Sequence, residues 1–360
     1  MTSEAASRPA PATRPAAAAV PAPRRRGGVV AFHVLAVAAL LLSVAAAATL
    51  GAADVSLVNV RDVLLNHLGI TDVPVRVSED AIVWQDRVPR SLVAAACGAG
   101  LGLCGLVMQS LLRNPLADPF VLGISSGAST GAVAVAILGL GTGLGLSAGA
   151  FAGAVVAFAF TLVLSRLTRS GSTGTLLAGV AATHLFSALT SLVVFAFADA
   201  DETRGVMFWL LGSLEGIRWP DVVLTASVVA VGAVVVLAHA RRLDAFAFGE
   251  EVAASLGVPV ARVRAVLLLL TALVTATLVS VAGTVGFVGL VLPHVARLVV
   301  GPGHTRTVPA TIVLGALSMV WIDALSRVAF APTPLPVGVG TALVGVPVFV
   351  VLLVRRRRVP

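Results

Sequence analysis

Beyond residue 28 the chain is a succession of apolar runs of about twenty residues, separated by short polar segments. Runs of that length are what a helix needs to cross a ~30 Å hydrocarbon core. They fall at 29–50, 91–112, 119–138, 144–165 and 175–198, then at 222–240, 259–281, 284–300, 308–328 and 337–354. The pattern predicts an all-α, polytopic membrane protein with about ten transmembrane helices in one domain, 29–354. A polar stretch at 51–90 separates the first two runs, and within it 60–68 reads as a short interfacial helix. Residues 1–28, rich in Ala, Pro and Arg, read as a disordered basic tail. Residues 355–360 read as a basic cytoplasmic tail. The first run could be mistaken for a signal peptide, but it is longer than the ~7–15 residues of such a core. It is taken as a retained helix.

Composition sharpens this picture. Apolar residues make up 58% of the 360 positions and charged residues 12%, with a mean hydropathy of +1.01. Soluble domains lie near ~45–50% and ~25%. The 35 glycines and 19 prolines are tolerated in membrane helices. Lysine is absent, all 25 basic residues being arginine. A Walker A loop needs its Lys on the nucleotide phosphates, so the chain is no P-loop ATPase by itself. With the N-terminus inside and ten spans, 18 arginines fall inside and seven outside, while the carboxylates divide five to twelve. The positive-inside bias predicts a multi-pass protein with both termini cytoplasmic.

No catalytic constellation emerges. The six histidines are scattered without HExxH spacing, no metal-ligand spacing occurs, and no span carries facing carboxylates. Cys97 and Cys104 stand two helical turns apart, ~10.5 Å, too far for a disulfide. Four features stand out. In Arg113-Asn114-Pro115-Leu116-Ala117-Asp118-Pro119 the prolines end one helix and start the next, and Asp118 can cap the incoming N-terminus. Residues 248–257 contain a short helix with acidic residues at its start and Gly257 at its end. It suits either docking of a cytoplasmic partner or rest on lipid. Residues 283–297 combine close-packing glycines with Pro293, which kinks the span, and His294. Asp323 and Arg327 meet on one helix face near the outer surface, and Arg87 and Arg90 precede the second span there.

Four stretches in order, RVPRSLVAAACGAGLGLCGLVMQSLLRNPLADPFVLGISSGAS, GEEVAASLG, GTVGFVGLVLPHVARLVVG and PLPVGVGTALVGVPVF, resemble the FecCD family. These are permease subunits of bacterial ABC importers for iron-siderophores, haem and cobalamin. The match runs from about residue 83 to residue 354. Pro334 stands where many relatives carry a Glu. The resemblance implies a type II ABC importer permease fold, no enzyme activity, and no cofactor in this chain, ATP belonging to the partner ATPase. It implies a second permease, identical or paralogous, two ATPase subunits inside, an extracytoplasmic substrate-binding protein, surrounding lipid and no nucleic acid. Ferric siderophore is the first reading of the cargo, with haem or cobalamin as the alternative. ATPase coupling falls on Gly249, Glu250, Ala253, Leu256 and Gly257. Binding-protein docking falls on Arg87, Arg90 and Arg327. Arg113, Asn114, Pro115, Asp118, Pro119, Pro293, His294 and Asp323 are structural motif positions.

Overall fold

A computed structural model describes residues 26–51, 53–139, 145–168, 171–330 and 333–356. The expected tails lie outside the described residues, save for the ends of the first and last helices. Among the described residues all regular structure is helical. In chain order come α1 (Arg26–Ala47), α2 (Leu57–His67) and α3 (Val77–Asp80), which passes through a π-helical stretch, Ala81–Arg87, into α4 (Val88–Leu111). A 3₁₀ turn, Pro119–Leu122, precedes α5 (Ile124–Leu138), and α6 (Leu146–Thr168), α7 (Gly171–Phe197) and α8 (Ala200–Leu210) follow. The second half holds α9 (Trp219–Ala238), α10 (Ala240–Phe246), α11 (Glu250–Ser255), α12 (Val260–Ala282), α13 (Val288–Val300), α14 (His304–Val328) and α15 (Val337–Arg356).

Seven helices are long and apolar enough to cross a membrane, and Ala31–Ala47, Ile124–Leu138 and Val288–Val300 are shorter apolar helices. Each of these ten overlaps one expected run, but three differ in extent. The expected 91–112 helix begins 14 residues earlier, at Val77. Pro89 has no N–H for the Gln85 carbonyl, so the ladder widens and the Val88 N–H reaches Val83 instead. Side chains take up the freed carbonyls: Trp219 Nε1 donates to Trp84 O at 2.9 Å and Arg218 Nη1 to Gln85 O at 3.4 Å. The expected 119–138 helix is broken at Gly123, which sits at φ 76° in the left-handed region. The expected 284–300 helix starts only at Val288, because Gly283 and Phe287 both take positive φ. Helices α8 and α10 arise where the sequence pattern gave only loop.

Helix α4 is the axis of the bundle. Of its apolar window 83% is buried, against 17% for α7 and for α15. Lipid chains are as apolar as leucine, so helix association rests on close packing rather than on a hydrophobic drive. Glycine stripes supply it. A Cβ added to Gly98 would lie 2.0 Å from Gly315 O on α14, and one on Gly105 1.9 Å from Gly289 O on α13. Gly127 and Gly131 on α5 meet Gly153 and Gly149 on α6 in the same way.

Candidate functional site

Arg87, Arg90 and Arg327, expected on the outer rim, converge on one recess of ≈330 Å³ that Asp86, Glu215 and Pro334 also line. They are more deeply set than a rim position would have it, at 3%, 7% and 8% exposed. Asp323, with no exposed surface, lies beneath them. Arg90 Nε donates to both its oxygens, at 2.9 and 3.2 Å, and Arg327 Nε stands 3.4 Å from Oδ2. The other N–H groups close the end of α1, whose last carbonyls have no helical partner. Arg327 Nη2 donates to Ala47 O at 2.9 Å, and Arg87 Nη1 donates to Ala48 O and Thr49 O at 2.9 and 3.0 Å. Positive charge at a helix C-terminus is also what its dipole favours. Arg327 Nη1 is buried and makes no hydrogen bond among the described residues.

A groove of ≈370 Å³ is lined mostly by hydroxyls: Ser125, Ser126 and Ser129 from α5, Ser187, Thr190 and Ser191 from α7, and Thr284, with Leu210 from α8. Much of this polarity is met internally. Ser129 Oγ donates to Ser125 O and Ser191 Oγ to Ser187 O, while Thr190 Oγ1 donates to Phe186 O. The wall is polar, uncharged and largely self-satisfied, so it can wet a large solute without gripping it.

At the opposite end from the arginines, α11 starts at Gly249 (φ 105°) and stops before Gly257 (φ 81°). Both glycines sit where an L side chain is strained. Ala253 is fully buried, whereas Phe248 and Leu256 are 71% and 67% exposed. Glu250, expected to face a partner, forms an ion pair with Arg264 on α12. The exposed face of this element is therefore apolar, made by Phe248, Val252 and Leu256 with Glu251 beside them. Phe248 lies just outside the expected set, although an aromatic beside a glycine at the head of a short acidic helix was visible in the sequence.

The model of the FecCD transport family matches residues 37–355. The chain belongs to that family. The match takes in the second half of α1, which the sequence resemblance had left out. The cobalamin import system permease protein BtuC of Halobacterium salinarum is 46% identical over 76% of this chain and 73% of its own. The iron(3+)-hydroxamate import system permease protein FhuB of Bacillus subtilis is 32% identical over 93% of this chain and 85% of its own. Among solved structures, a chain described as a metal-chelate type ABC transporter in an inward-facing conformation superposes with a TM-score of 0.79 at 26% identity. That match covers 91% of this chain and 99% of the other. The protein is thus an ABC importer permease of the type II fold, a transport protein rather than an enzyme. Such a permease implies an ATPase and a binding protein as partners.

The remaining motif positions of the permease serve its packing. Pro293 cannot donate to Gly289 O, and Gln109 Nε2 does so instead at 3.3 Å, with a second bond to Leu290 O at 3.1 Å. Arg297 Nη1 holds the amide from its oxygen side at 2.7 Å. Gln109, a buried amide in an apolar run, was not singled out from sequence. His294 lies in the same helix turn as Pro293 and is half-buried. In the 113–119 turn, Arg113 takes φ 49°, Asn114 Oδ1 accepts the Leu116 N–H at 2.9 Å, and Pro115 follows it. Asp118 Oδ1 accepts from Phe120 N at 2.9 Å, the cap expected of it, with Pro119 opening the 3₁₀ turn.

Burial pushes the Asp118 carboxyl up to about 6 from 3.8, against the pull of the Phe120 N–H. A folded pKa above the unfolded one adds stability that is complete below pH 4 and is lost as pH rises through 6. Asp118→Asn keeps the accepting oxygen and removes the titration. The melting midpoint of the detergent-solubilised wild type should therefore fall on going from near pH 4 to near pH 8. The Asn variant should lose clearly less over that range. Parallel pH curves for the two proteins would show that Asp118 does not titrate in this way.

Proposed function

We propose that this permease imports a corrinoid, with cobalamin the reference cargo, rather than the ferric siderophore that the sequence motifs put first. The observation that carries the reading is the 46% identity to a cobalamin permease, against 32% to the iron(3+)-hydroxamate permease. The hydroxyl-lined, uncharged groove supports it, because a bulky neutral solute with many amide groups needs wetting and no counter-charge. The chain would work in the bacterial cytoplasmic membrane with both termini cytoplasmic, a placement supported by the 18 to seven division of arginines. The wide unpacked faces of α7 and α15 fit pairing with a second permease around a shared path. Two ATPase subunits would dock on the apolar face of Phe248, Val252 and Leu256. Carboxylates of the binding protein would meet the outer recess that Arg87, Arg90 and Arg327 line, where the guanidinium fork suits a carboxylate.

The test is uptake in a bacterial strain lacking its own cobalamin and hydroxamate permeases, given this chain with its ATPase and binding protein. Labelled cyanocobalamin should accumulate in an ATP-dependent manner, and a labelled ferric hydroxamate should not compete. Accumulation of the ferric hydroxamate without that of cyanocobalamin would reverse the assignment. The 93% coverage by the hydroxamate relative makes that the second reading.

A further inference from the structure

At the end of the bundle that carries α11, three helices are joined through one imidazole. His304, the first residue of α14, places Nδ1 2.6 Å from Asp244 Oδ1 on α10 and Nε2 2.7 Å from Ser110 Oγ on α4. The His304 backbone N–H also donates to Asp244 Oδ1 at 3.0 Å. The order hydroxyl, imidazole, carboxylate is that of a nucleophilic triad. The surroundings argue against that chemistry. Ser110 lies inside α4, where neighbouring N–H groups are spent on the helix, so no donor pair faces its oxygen. Its hydroxyl already donates to Leu106 O at 2.8 Å. The neutral imidazole then donates from Nδ1 to the carboxylate, and its Nε2 faces the Ser110 hydroxyl, whose single proton serves Leu106 O or Nε2.

Its location gives the tie a mechanical meaning. Helix α10 is anchored by Leu243 and Phe246, both fully buried, and only three residues separate it from α11. Asp244 is the polar handle on that anchored helix. Ser110 is next to Gln109, which binds the carbonyls around Pro293 and Arg297 on α13. Two adjacent residues on α4 thus receive separate ties, one from α13 and one, through His304, from α14 and α10. The Glu250–Arg264 pair leads from α11 to α12 and does not reach this point. Arg297 is the other charged group near the imidazole.

We propose that His304 is a positioning residue that carries displacement of the α10–α11 segment into α4 and α14 during ATP-driven import. The proposal rests on the reading of α11 as the ATPase contact. Charge-assisted hydrogen bonds, each stronger than neutral ones, make a link that transmits small shifts, whereas apolar contacts there would slide. His304→Ala should leave assembly of the complex intact and lower substrate imported per ATP hydrolysed by about tenfold, the loss of about one charge-assisted bond. Asp244→Ala should behave alike. Asp244→Asn, which keeps the accepting oxygen, should recover most of the ratio.

The experiment reconstitutes permease, ATPase and binding protein in proteoliposomes and measures hydrolysis and uptake together. The label is cyanocobalamin or the ferric hydroxamate, whichever the uptake assay above selects. A Phe248→Glu/Leu256→Glu variant serves as the control on α11 and should release the ATPase from the purified complex. If the ATPase stays bound to that variant, the reading of α11 fails and the relay with it. If the ATPase is released there but His304→Ala and Asp244→Ala keep the wild-type ratio, the relay alone is wrong. A His304→Ala protein whose hydrolysis and uptake fall together, with Asp244→Asn no better than Asp244→Ala, has a structural histidine only, which also overturns the proposal.

Discussion

Replacing Asp323 by Ala should remove most of the folded permease from the membrane. The carboxylate has no exposed surface, and it holds Arg90 through three contacts and Arg327 through a fourth. Without it two buried guanidinium groups lose the carboxylate in direct contact with them. Breaking one side of such a buried group costs about 3–5 kcal/mol, a large share of the ~5–15 kcal/mol that separates folded from unfolded chains. Arg327 and Arg87 also hold the last carbonyls of α1, so the loss should spread to that helix. The check is the monodisperse fraction after detergent extraction, with its melting midpoint. Replacing the whole group, Arg90→Met and Arg327→Met with Asp323→Leu, should restore part of the yield, because apolar replacement of a buried ion pair or triad is often near neutral. Wild-type yield from Asp323→Ala would mean that the arginines find solvent or lipid partners instead.

A second large effect is expected at Gly105. A Cβ there would lie 1.9 Å from Gly289 O and 2.4 Å from Gly289 C, backbone atoms that no rotamer change can move aside. Gly105→Val should force α13 away from α4 and break the Gln109 bonds that complete the carbonyls around Pro293. Overpacking of this kind costs about 1–3 kcal/mol and occasionally more. The expected result is a lower melting midpoint and loss of import, even where protein is recovered. Gly303→Ala is the matched control, since its Cβ meets nothing within 4 Å and its φ is −66°. Equal behaviour of the two variants would show that the α4–α13 contact is looser than its geometry implies.

The comparison of sequence with structure turns on particular elements. The ten apolar runs each overlap a helix, because hydropathy over twenty residues is a local quantity that the bilayer reads directly. The α11 segment and the Asp118 cap were legible for a similar reason, as glycine, proline and capping residues act on their immediate neighbours. The breaks at Gly123 and Phe287 were not legible, since an apolar run looks the same whether or not its backbone is continuous. The extension of α4 back to Val77 was hidden by polar residues that a surface helix bears without cost.

For the candidate sites the division is sharper. Residue types and motif order determined that the chain spans a membrane, lacks the lysine of an ATPase and belongs with importer permeases. They could not give partners far apart in the chain. Glu250 looked free and is paired with Arg264; the arginines looked peripheral and are sunk around Asp323; His304 was one scattered histidine and proves to join three helices. Local propensity and hydropathy act over one or two turns and are written along the chain. A hydrogen bond or ion pair between residues 233 apart, as for Arg90 and Asp323, exists only once packing has brought two helices into contact.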